Sequence, residues 1–159
     1  MAEELHVQRA GVGAPLLVLH GLFGSGTNWR TLSRSFAEQF DVFLIDARNH
    51  GRSPHAATMS YPEMAADLIA LMDAHDIARA HLLGHSMGGK TAMWTALAHP
   101  ERVASLAVAD IAPVTYEREL GPELAAMRGL NLAGIRRRND ADAALAQTVP
   151  EPGVRAFLL

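Results

Sequence analysis

Along the chain, short runs of consecutive apolar residues alternate with longer stretches in which apolar positions recur every three or four residues. The short runs are PLLVLH (15–20), FDVFLIDAR (40–48), ARAHLLGH (78–85) and VASLAVADIAP (103–113). Apolar at successive positions, they predict strands buried on both faces, as in a parallel sheet covered by helices. LHVQRA (5–10) predicts an edge strand, with a turn at AGVG. Of the longer stretches, TNWRTLSRSFAEQF (27–40) puts Trp29, Leu32, Phe36 and Phe40 at helical spacing. SYPEMAADLIALMDAHD (60–76) sets Met64, Leu68 and Leu71 on one face, and its Ser60/Glu63 pair matches a capping box. MGGKTAMWTALAHP (87–100) predicts a helix that Pro100 closes. The rhythm predicts an α/β fold with a mostly parallel sheet flanked by helices. No internal repeat or low-complexity linker interrupts it.

After Pro113 the pattern changes. Helical stretches (PELAAMRGLNLAGI, then DADAALAQTV) follow one another across polar turns, with no further strand. The chain therefore divides into a core, residues 1–113, and a helical excursion, residues 114–159. EPGVRAFLL opens another helical pattern and stops without a C-cap, so the excursion reads as truncated. VASLAVAD is apolar like a central strand, yet nothing later in the chain can pair with its outer edge, and a bare apolar edge invites aggregation. The expectation is that the last strands of the sheet are missing from this chain and come from a complementary C-terminal fragment, a second chain or a longer parent.

Composition narrows the chemistry more than the fold. A chain of 159 residues supports one sizeable core, and 49% hydrophobic with 19% charged residues fits a folded protein. A net charge of −3 gives no reason to expect nucleic acid or anionic lipid as partner, and RRR (136–138) reads as a solvated helix end. The absence of cysteine excludes disulfides, thiolate catalysis and cysteine-ligated metals. The N-terminus carries two glutamates and no apolar signal-like region, and no run approaches the ~20 apolar residues of a membrane span, so a cytoplasmic protein is expected. The histidines show no metal-ligand spacing, and no metal or cofactor is expected.

The candidate chemistry sits at two glycine-rich turns. Gly84-His85-Ser86-Met87-Gly88 matches G-x-S-x-G between a predicted strand and a predicted helix. Such a turn holds the serine in a strained conformation at a helix N-terminus, where free N–H groups suit a developing oxyanion. HGLFGSG (20–26) follows PLLVLH and can swing a backbone N–H toward Ser86. The oxyanion donors expected are the N–H groups of Met87 and Leu22, with Phe23 as the alternative to Leu22. A serine nucleophile needs a base, yet the last histidine is His99 and none is well placed. His85 should point away from the hydroxyl, His20 supports the loop, and His50 and His55 belong to the DARNHGRS turn. His6, His75, His81 and His99 lie near the chain start or at element ends.

HGLFGSGTNW, DARNHGRS (46–53), GHSMGGK (84–90) and VADIAPV (108–114), in this order, resemble an α/β-hydrolase of the esterase subgroup. The resemblance spans roughly residues 15–114. It implies an acyl-ester hydrolase with a Ser–Asp–His triad, a small-molecule ester substrate and a helical cap, which the segment from Val114 onward would begin. Chain order in that family puts the acid after the serine, and VADIAPV favours Asp110; in many relatives the acid lies one strand later, on a strand absent here. Asp46 also ends a strand, and is expected to fix the DARNHGRS turn with Arg48 and Arg52. Thioesterases, lactonases and C–C bond hydrolases use the same serine apparatus, and a non-catalytic ligand-binding version of the fold is the alternative of another class.

Overall fold

The computed structural model describes residues 2–115 and 121–159. The helical excursion expected over 114–159 includes residues 116–120, which lie outside the described residues. The chain separates into two compact units, Met1–Pro113 and Val114–Leu159.

The first unit is built on five strands: β1 (Val7–Ala10), β2 (Ala14–Leu19), β3 (Phe40–Ile45), β4 (Ala80–His85) and β5 (Val103–Ala109). They are ordered β1-β3-β2-β4-β5; β1 pairs antiparallel with β3, and the other pairings are parallel. Successive residues of β2 and β3 enter opposite cores. Leu17, Leu19, Phe43 and Ile45 pack with Leu68 and Met72, while Leu16, Val18, Val42 and Leu44 pack with Trp29 and Phe36. This explains why these strands show no polar alternation: neither face meets water.

Helix α2 (Tyr61–Ala74) begins with the expected capping box, in which Ser60 and Glu63 each satisfy the other's backbone N–H. The Ser60 hydroxyl, helped by that of Thr58, holds the Glu63 carboxyl down at about 2. Helix α3 (Met87–Ala98) follows β4 and packs on β4 and β5.

The single helix expected over 27–40 does not form. A 3₁₀ turn at Gly26–Trp29 and a short helix α1 (Ser33–Phe36) replace it. The stretch is dense in Thr, Asn and Ser, whose side chains compete for backbone partners. Asn28 Oδ1 accepts the Ser25 N–H at 2.6 Å, and Ser33 Oγ donates to the Arg30 carbonyl at 3.0 Å. The apolar spacing survives, since Trp29 and Phe36 still reach the core.

The second unit holds α4 (Gly121–Arg128), a 3₁₀ turn at Leu132–Gly134, α5 (Arg138–Leu145) and α6 (Pro152–Leu158). Arg155 ties its last two helices together, donating to Asp142 Oδ1 at 2.9 Å and to the Val149 and Pro150 carbonyls. Arg136–Arg138 lie at the start of α5, exposed, and Arg137 pairs with Asp140. Among the described residues no helix is long and apolar enough to cross a membrane.

Among the described residues β5 forms one edge of the sheet, opposite β1, and it is poorly covered: Leu106 is 40% and Val108 36% exposed, as are Trp94 (45%) and Leu97 (83%) of α3. An apolar strand edge beside exposed apolar side chains is the pattern of a surface that normally meets more protein.

Candidate active site

Ser86 stands between β4 and α3 with φ 49° and ψ −113°. An L-residue adopts this conformation only when its surroundings impose it. The surroundings here are backbone. The Ser86 N–H donates to the Ala109 carbonyl at 3.1 Å, and the Gly88 N–H donates to the His20 carbonyl at 3.1 Å. One bond ties the turn to the end of β5 and the other to the end of β2. A Cβ at Gly88 would lie 2.6 Å from the carbonyl oxygens of both Leu19 and His20, so this approach of helix to strand needs glycine. Helix α3 has no acidic residue in its first turn, which leaves the positive end of its dipole uncompensated. The Met87 N–H has no acceptor among the described residues.

The loop after β2 passes close to the serine. A Cβ at Gly21 would lie 2.8 Å from His85 Nδ1, too close for both to stay in place, and 3.4 Å from Ser86 Cβ, in van der Waals contact. Of the two candidate donors on this loop, the Phe23 N–H is engaged, donating to His50 Nε2 at 3.2 Å. The Leu22 N–H has no acceptor among the described residues. Phe23 has φ 64°, a left-handed conformation that a bulky residue seldom adopts.

Two buried histidines underpin this loop. His20 Nε2 accepts the Ala47 N–H at 3.1 Å, so its proton is on Nδ1, which donates to the Gly21 carbonyl at 2.7 Å. Burial pushes the His20 imidazole below its ordinary 6.5; its bond to the Gly21 carbonyl works against this shift and the neighbouring His50 adds to it. The unfolded chain therefore takes up the proton first. Stability from this group is complete above about pH 6.5 and is lost as pH falls below it. In urea titrations the midpoint should fall more steeply between about pH 7 and 5.5 for the wild type than for His20→Gln, which has no imidazole to protonate. Parallel pH dependence of the two would contradict a buried neutral His20.

The DARNHGRS turn is fixed differently from expectation. Asp46 Oδ1 accepts the Gly26 N–H at 2.7 Å and its Oδ2 the Arg52 N–H at 2.9 Å, so Asp46 does organise the turn, through backbone groups. Arg48, however, is not its partner. The Arg48 guanidinium meets Asp67 of α2 through two bonds of 2.7 Å each, with both side chains almost wholly buried. The signal was present in the sequence: Asp67 falls on the apolar stripe of Met64, Leu68 and Leu71, and a carboxylate there requires a buried cation.

Asp110 follows β5, beside the strand that leads into Ser86, with φ 54°. Its carboxylate is 90% exposed and lies 3.7 Å from His85 Nε2. None of the eight histidines hydrogen-bonds to Ser86 Oγ. His75 packs edge-on against Phe43, His81 Nδ1 sits 2.8 Å from Ser105 Oγ, and His99 is 3.9 Å from Glu101.

A family model described as the alpha/beta hydrolase fold matches residues 14–154. Among curated proteins, the chain is 42% identical over 156 residues to the sn-1-specific diacylglycerol lipase ABHD11 of Xenopus laevis, covering 93% of this chain and 50% of the relative. It is 39% identical over 147 residues to the esterase YbfF of Escherichia coli (strain K12), covering 92% of this chain and 58% of the relative. Among solved structures, a marine microorganism esterase superposes with a TM-score of 0.93 at 40% identity, covering 99% of this chain and 63% of that one. The chain thus spans about half the length of the curated relatives it matches.

Proposed function

Because the chain belongs to the α/β-hydrolase family, we propose that it is the nucleophile-bearing part of a carboxylic ester hydrolase working through a serine-bound acyl intermediate. The observation that carries this reading is Ser86, held at φ 49° on a turn with two unclaimed N–H groups, Leu22 and Met87, on the segments beside it. Ser86 Oγ attacks the ester carbonyl, and its proton passes to a histidine. The carbonyl oxygen becomes an oxyanion held by the Leu22 and Met87 N–H groups at the positive end of α3. The same histidine returns the proton to the departing alcohol, and water then releases the acid by the reverse steps. The Phe23 N–H, already bonded to His50, is not the donor. Asp110 holds the histidine in the useful tautomer; its exposed carboxylate at the end of β5 is open to an incoming imidazole.

The histidine comes from a complementary C-terminal segment that pairs along the open edge of β5 and covers Leu106, Val108, Trp94 and Leu97. Homologues named as esterases and lipases support ester chemistry over the thioesterase, lactonase and C–C hydrolase alternatives.

The test is labelling by a fluorophosphonate, followed by peptide mapping. The assembled protein should carry the adduct on Ser86, and the 159-residue chain alone should label at least a thousandfold more slowly for want of the base. An adduct elsewhere, or none in the assembled protein, would favour the non-catalytic binding version of the fold.

A further inference from the structure

We propose that His50 is a positioning residue that selects which backbone N–H of the glycine-rich loop faces the reacting carbonyl. The inference rests on the ester-hydrolase reading above and deepens it.

The observation is that His50 and His20 grip consecutive peptide units. The Gly21 carbonyl and the Leu22 N–H belong to one planar peptide, and the Leu22 carbonyl and the Phe23 N–H to the next. His20 Nδ1–H, with the Gly24 N–H at 3.0 Å, holds the first through the Gly21 oxygen. His50 holds the second through the Phe23 N–H. In a trans peptide the N–H points opposite to the C=O, so fixing the Gly21 oxygen inward fixes the Leu22 N–H outward. Hydrogen bonds to that oxygen also polarise the peptide and strengthen its N–H as a donor. His50 completes the arrangement by drawing the neighbouring N–H away and holding Phe23 in its left-handed conformation.

His50 can do this in only one tautomer. Its Nδ1 lies 2.9 Å from the Arg48 carbonyl, which accepts and cannot donate, so Nδ1 carries the proton and Nε2 is bare. A bare Nε2 is what the Phe23 N–H requires. The buried His50 ring packs on that of His20, with centroids 5.1 Å apart and an interplanar angle of 55°. Arg48 in turn is anchored to α2 by Asp67, so the acceptor that sets the tautomer is itself immobile. Without this bond a left-handed Phe23 has an easier conformation available, in which the Leu22–Phe23 peptide turns over and the freed Phe23 N–H competes with that of Leu22.

The experiment compares wild type, His50→Leu and His50→Gln in the assembled enzyme, with a p-nitrophenyl ester as substrate. Active sites are counted by fluorophosphonate incorporation at Ser86, so that misfolded protein does not enter kcat. His50→Leu should lose about ten- to a hundredfold in kcat per labelled site, the scale expected for a displaced oxyanion donor, with KM changed less than about threefold. His50→Gln, whose amide oxygen can accept the Phe23 N–H, should recover most of the loss. Unchanged kcat per labelled site in His50→Leu, or a loss confined to KM, overturns the proposal while leaving the nucleophile reading intact. Failure of the wild type to label at Ser86 overturns both. If His50→Leu does not fold, the wild type decides: long-range ¹H–¹⁵N spectra should show the Nδ1–H tautomer for His50 and a slowly exchanging Phe23 amide. An Nε2–H tautomer overturns the proposal.

Discussion

In the assembled enzyme proposed above, replacing Ser86 by glycine should abolish turnover and at the same time stabilise the fold. The activity loss is expected to reach about 10⁶ in kcat, because without Oγ no acyl intermediate can form. The gain in stability has a separate origin. At φ 49° and ψ −113° the Ser86 Cβ crowds its own backbone, a strain of about 1–3 kcal/mol that glycine does not incur. Part of the relief is offset by the greater freedom of glycine in the unfolded chain, about 0.5–1 kcal/mol, which leaves a net gain of roughly 1 kcal/mol. Ser86→Ala keeps the Cβ and should be equally inactive without becoming more stable. Urea unfolding of the three proteins beside turnover of a chromogenic ester separates hydroxyl from strain. If glycine and alanine prove equally stable, the strain assigned to this turn is not there.

Removing the carboxylate of Asp67 should be among the most destabilising single changes in the first unit. Asp67 is 0% and Arg48 2% exposed, so Asp67→Ala strands a guanidinium in the interior. Breaking one side of a buried pair costs about 3–5 kcal/mol, most of it the penalty of the unpaired charge. The loss should propagate, since Asp67 also accepts the Glu3 N–H at 2.6 Å, and Arg48 reaches the Thr58 and Glu63 carbonyls. Arg48→Met combined with Asp67→Leu removes both charges and should recover most of the stability. Chemical denaturation of the singles and the double gives the coupling directly. A double variant as unstable as Asp67→Ala would mean that shape, not charge, dominates at this contact.

Legibility in the sequence followed a physical division. Strands β2 and β3 could be read because both of their faces are buried, which forces consecutive apolar residues, and β4 because one face is buried and the other half-buried. Helix α2 could be read because Ser60 and Glu63 cap it locally. Residues 27–40 misled because the apolar spacing of Trp29 and Phe36 records burial alone, while Asn28 and Ser33 redirect the backbone bonds that a continuous helix would need. Arg48 finds a partner other than the expected one for a related reason. Asp46 is near in sequence, but its oxygens are taken by backbone N–H groups, and the cation is claimed by a carboxylate on α2.

By itself, the sequence determined the α/β architecture, the serine on its strand–helix turn and the two loops that flank it, because these rest on local patterns of burial, capping and glycine. Tertiary structure alone decided which of Leu22 and Phe23 offers a free N–H, since that depends on His50, 27 positions away, reaching the Phe23 amide. It also decided that Arg48 belongs to Asp67. Each of these is a contact between segments distant along the chain, and a hydrogen bond between such segments leaves no periodicity to read.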